Sequence, residues 1–186
     1  MTTESKKFEA MGKLYARIGN EAGTDLDLGQ LVAALEDDDD DVSKAAVWVL
    51  GVMSSSGDAK AKEALDTART DGDDVVRDAA DVELTNPEEL VERLTAELIE
   101  IGRLESYVSS PSEKYDEHDN HKRARRIGEM LDDIPNTWSR RTEPAEDDRG
   151  GLELMREVHS RVALEVPWDR ARELEACWGG VGHWRS

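Results

Sequence analysis

Cysteine occurs once in the 186-residue chain, at Cys177, so no internal disulfide can form and no cysteine cluster can hold zinc. Positive charge is also scarce. The chain has 24 Lys plus Arg, only 8 of them lysine, against 43 Asp plus Glu, a formal net charge of −19. That balance argues against a nucleic-acid binder, because phosphate contacts need a surplus of Lys and Arg. No apolar run approaches the roughly 20 residues of a membrane span, and the opening MTTESKKFEA has no apolar core of a signal peptide. The expectation is a cytoplasmic protein with no membrane contact. Alternating strand patterns are missing as well, which leaves an all-α chain.

The acidic excess runs along the whole chain and does not form one tail. Self-repulsion on that scale opposes compaction at ordinary ionic strength, and molar salt screens it. The pattern resembles proteins of salt-accumulating halophiles.

What is present is helical periodicity. Val42, Ala45, Ala46, Val49, Leu50 and Met53 fall on one helix face, as do Ala61, Ala64, Leu65 and Ala68, and then Val76, Ala79, Ala80 and Leu84. Asn86 before Pro87 and two glutamates marks a helix start, followed by the stripe Leu90, Leu94, Leu98, Ile101 and Leu104. Phe8–Ile18 and Asp27–Leu35 make another helix pair. Shifted by 34 residues, Leu31–Leu50 matches Leu65–Leu84 at 9 of 20 positions. A period of that length built from helix pairs indicates a stacked solenoid.

DDDVSKAAVWVLG (Asp39–Gly51) and DDVVRDAADVELT (Asp73–Thr85) resemble the HEAT-like repeats found in phycobilisome lyases. Both show an acidic turn, a valine, two alanines and a leucine. Ser43 stands where the family usually has arginine, and Thr85 where it has glycine. The resemblance covers about residues 5–105 and implies a short HEAT-like repeat array; such repeats serve many partners, so it implies no reaction. It also gives a role to the five aspartates Asp37–Asp41, which fall at the turn between repeats. There a carboxylate caps free N–H groups, with Asp41 expected just before the helix. An EF-hand starting at Asp37 would need glycine and glutamate where Val42 and Trp48 stand.

Ser106–Asp119 is polar, aperiodic and contains Pro111, so it reads as a linker (residues 106–119) to a helical region, 120–186, that has no recognised relative. The aromatic content changes there: residues 1–105 hold three aromatics, and the remaining 81 hold six, including Trp138, Trp168, Trp178 and Trp184. Helices are expected at Asn120–Asp132 (Ala124, Ile127, Leu131), Leu152–Leu164 (Met155, Val158, Val162) and Asp169–Trp178 (Ala171, Leu174, Trp178), with a long mobile loop over about 133–150. After the last helix, Gly179–Gly180 permit a turn that would fold Val181 and Trp184 back over the face of Leu174 and Trp178 as an end cap. The alternative is that Trp178, Val181 and Trp184 form a docking patch, since tryptophan is enriched at binding hot spots.

Few residues suggest chemistry. His118 and His121, among Asp116, Glu117 and Asp119, have a spacing that can share a metal, but no third fixed ligand accompanies them. Lys122, Arg123 and Arg126 are the one basic cluster; without interleaved aromatics they read as a contact patch for the acidic repeats or for a partner. Cys177 beside Trp178 reads as an inert thiol even with His159 or His183 elsewhere in the chain. The leading expectation is a monomeric, non-enzymatic protein-binding module or scaffold that needs no cofactor. The rival is a lyase-like or metal-dependent accessory enzyme using His118 and His121.

Overall fold

The computed structural model describes residues 3–17, 27–103, 119–141 and 149–177. Among them all regular structure is α-helical: α1 (Thr3–Arg17), α2 (Leu28–Ala34), α3 (Asp40–Ser55), α4 (Ala59–Asp71), α5 (Asp74–Leu84), α6 (Pro87–Arg103), α7 (Asp119–Arg141), α8 (Arg149–Glu165) and α9 (Trp168–Cys177). Contacts divide the chain into two compact units, Met1–Thr85 and Asn86–Ser186.

Aspartate starts α2, α3, α4 and α5 of the first unit. The Asp27 carboxylate accepts from the Gly29 N–H at 3.0 Å, and Asp39 from the Asp41 N–H at 3.0 Å. Asp58 accepts from Lys60 and Ala61, and Asp73 from Val75 and Val76, at 2.8–3.1 Å. Each satisfies N–H groups that have no partner inside the helix and places negative charge at the positive end of the dipole. The cap of α3 is therefore Asp39, and Asp41, expected before the helix, lies within its first turn.

Helix α3 is the centre of this unit, packed by α1, α2, α4 and α5. The expected stripe is the core: Val42, Ala45, Ala46 and Leu50 of α3 are buried together with Leu31 and Ala34 of α2, Ala61, Leu65 and Ala68 of α4, and Val76, Ala79 and Ala80 of α5. The 34-residue correspondence thus maps buried Leu31, Ala34, Val42, Ala45 and Ala46 onto buried Leu65, Ala68, Val76, Ala79 and Ala80, buried Leu50 onto half-buried Leu84, and the two capping aspartates Asp39 and Asp73 onto each other. Ser43, which stands where the resembled repeats usually have arginine, is 1 % exposed, with its hydroxyl donating to the Asp40 carbonyl at 3.1 Å. A second close contact lies at the other end of α3. Gly51 faces the Glu83 side chain of α5, and a Cβ at Gly51 would overlap that carboxylate as it is placed, so a larger residue requires the buried Glu83 side chain to shift.

In the second unit each of α6, α7, α8 and α9 packs against the other three. Helix α6, read from sequence with the repeats, is thus packed with the helices that follow it. Its Leu90, Leu94, Leu98 and Ile101 are buried, and the Asn86 side chain accepts from the Glu88 N–H at 2.9 Å at its start. Ala124, Ile127 and Leu131 of α7, Val158 and Val162 of α8, and Ala171 and Leu174 of α9 complete the core. Gly102 lets α6 and α9 meet closely: a Cβ there would lie 2.6 Å from Val166 and 2.9 Å from Leu174. Helix α7 continues to Arg141, through Pro135 and the first part of the segment expected to be a loop. Proline inside a helix costs on the order of 3 kcal/mol. Burial of Ile134 and Thr137 on either side offsets that loss.

Candidate functional site

The acidic run before α3 is held by two cations of α1. Arg17 grips Asp37 with two contacts, Nε to Oδ2 at 2.6 Å and Nη2 to Oδ1 at 2.8 Å. Lys13 Nζ lies 2.5 Å from Asp41 and 3.3 Å from Asp39. The hydrogen bond from Arg17, and then the Asp39 N–H, hold the Asp37 carboxyl below its ordinary value, and Asp37 in turn raises Arg17. Lys13 is raised chiefly by its hydrogen bond to Asp41. Asp37, Asp39 and Asp41 are therefore structural acceptors as well as part of the acidic surface. The sequence signal was available, as Lys13 and Arg17 fall one turn apart with Ala10 and Leu14 on the same side of α1. Only the fold shows which carboxylates they reach.

Of the basic cluster, Arg123 turns inward. Its Nε and Nη2 reach the two oxygens of Glu97 on α6 at 2.6 and 2.9 Å, a bidentate and half-buried pair. Glu97 lies on α6, which packs with α7, α8 and α9 in the second unit, so this pair is internal to that unit. Lys122 is exposed and Arg126 half-buried. The same device recurs in this unit: Arg161 grips Glu92 at 2.6 and 2.8 Å and lowers its carboxyl, and Arg103 meets Glu165 at 2.5 Å. His121 is 4 % exposed within α7, so the side chain proposed to share a metal sits in the packed interior. Its companion His118 lies outside the described residues. Among the described residues no group of three His, Cys, Asp or Glu side chains is placed to hold a metal ion.

Trp178, Val181 and Trp184 lie outside the described residues, as do the side chain of Cys177 and His183. The α9 face on which they were expected to close carries Leu174, which is buried beside Gly102 of α6. The sequence reading missed an exposed apolar corner at the junction of α8 and α9, where Leu164 is 85 % and Trp168 72 % exposed. Arg172 lies over the Trp168 ring at 4.7 Å, a cation–π contact that shields one side of the indole. No helix among the described residues is long and apolar enough to cross a membrane. The chain matches no protein-family model, no curated protein and no solved structure.

Proposed function

We propose that this protein is a non-enzymatic protein-interaction module whose N-terminal unit is a short HEAT-like helical-repeat array, working in a salt-rich cytoplasm. One observation carries the reading. The apolar residues that recur at the 34-residue offset lie in or against the common core of α2, α3, α4 and α5, while the sequence around them is rich in charge. Repeats of that kind present extended surfaces suited to a protein partner. Affinity capture from the native host in molar KCl, followed by amide exchange on the recovered complex, tests it. The expected result is a stoichiometric protein partner that protects amides of the first unit. Stoichiometric zinc, manganese or iron in the purified protein would instead favour the accessory-enzyme reading with His118 and His121.

A further inference from the structure

We propose that the face of α3 covered by α1 is a docking site for a basic amphipathic helix of a partner protein, and that α1 is its built-in competitor. The proposal rests on reading the first unit as an interaction module and names the partner's chemistry. Charge is the first ground. Thr3–Arg17 carries four Lys or Arg and two Glu, whereas residues 27–84 carry 16 acidic and 5 basic residues. A basic helix therefore sits on an acidic body, and the complementarity is realised in contacts: Lys13 with Asp39 and Asp41, and Arg17 with Asp37.

The second ground is the make-up of the seat that secures α1. Among its described side chains Ala10 and Leu14 are fully buried, in one core with Val42, Ala45, Ala46, Val47 and Leu50 of α3, and Met11 packs partly buried against that core. Phe8, the largest apolar side chain of α1, is 79 % exposed and adds nothing to the seat. Among the described side chains of α1 the seat is therefore an alanine, a leucine, a partly buried methionine and exposed ion pairs, the pairs each worth little. Another helix with the same pattern can replace α1. That pattern is a small or branched apolar residue at i and i+4, with cations at i+3 and i+7, here Ala10, Leu14, Lys13 and Arg17. Contacts of 2.5–3.3 Å lie at or within the Debye length of about 3 Å in molar salt, so direct pairing still selects a basic helix there.

A labelled peptide spanning Thr3–Arg17 tests this on the full chain, at the lowest KCl concentration that keeps the helical circular dichroism signal intact. In the chain variant Lys13→Glu/Arg17→Glu, α1 is repelled from Asp37–Asp41, and the peptide should bind at least about tenfold more tightly than to the unaltered chain. Should that variant lose helicity, Arg17→Ala serves in its place, with a smaller gain expected. The peptide carrying Phe8→Ala should bind as well as the parent, and the peptides with Leu14→Ala or Lys13→Glu/Arg17→Glu should fail. Equal binding to both chains, or binding indifferent to Leu14→Ala, overturns the proposal by reducing it to nonspecific attraction. A chain that captures a protein partner yet ignores the peptide also overturns it and leaves the interaction-module reading standing.

Discussion

At the residue scale, the repeat core depends on small side chains where helices approach, and Ser43 shows how far that need extends. Ala46 is fully buried, so Ala46→Glu places an unpaired charge in the packed interior of α3 and should cost on the order of 3–5 kcal/mol in urea unfolding. Ser43→Glu should be damaging as well, because Ser43 is buried and its hydroxyl is bonded within the helix. A Ser43→Glu protein as stable as the parent would show that α3 packs differently. Gly51→Ala makes a finer test. Alanine is the better helix former, but here its Cβ meets the buried Glu83 carboxylate, and overpacking of this kind costs about 1–3 kcal/mol. The sign should reverse in a Glu83→Ala background, where the obstruction is gone and only the helix preference remains.

At the element scale, what the sequence disclosed followed from periodicity. The stripes of α3 to α7 were readable because three- and four-residue spacing puts apolar groups on one face whatever that face packs against. Pairing was not readable in the same way. Periodicity marks a buried face on α6 without saying which helices bury it, and Pro135 argues for a break that Ile134 and Thr137 override by packing. Ser43 is a related case, since its burial depends on what covers α3, which periodicity does not show. Arg123 illustrates the limit for the candidate site: composition marked a basic patch, while its actual partner Glu97 is 26 positions away. Arg123→Ala should therefore lower stability by about 1–2 kcal/mol, and exposed Lys122→Ala should be nearly silent. Equal effects would mean the pair is not structural. The tie between α1 and the acidic run should appear in pH. Asp37 is held below its ordinary value of 3.8 in the folded chain, so its contribution is fully present above that value and is lost as pH falls through the lowered one. The melting temperature of Arg17→Ala should thus lie below the parent's at pH 7, and the gap should narrow as pH falls below 3.8 and through the lowered value of the folded carboxyl.

At the scale of the whole molecule, the net charge of −19 matters more than any single pair. The exposed ion pairs, at 2.5–3.3 Å, are few and are only partly screened by salt, whereas repulsion among the more numerous remaining carboxylates acts over the Debye length. That length is about 30 Å in 0.01 M salt, comparable to a small domain, and about 3 Å at 1 M. Withdrawing salt therefore strengthens the net repulsion that opposes compaction by more than it strengthens the few attractive pairs. The melting temperature followed by circular dichroism should rise steeply from tens of millimolar KCl and flatten toward molar concentrations, as screening approaches completion. Preferential exclusion of salt from apolar surface gives a different curve, one that keeps rising with concentration and is steeper in sulfate than in chloride. A flat melting temperature across the KCl series would sink the high-salt reading. A curve that rises without flattening would attribute the stabilisation to apolar burial, and one that rises and saturates would attribute it to the charge.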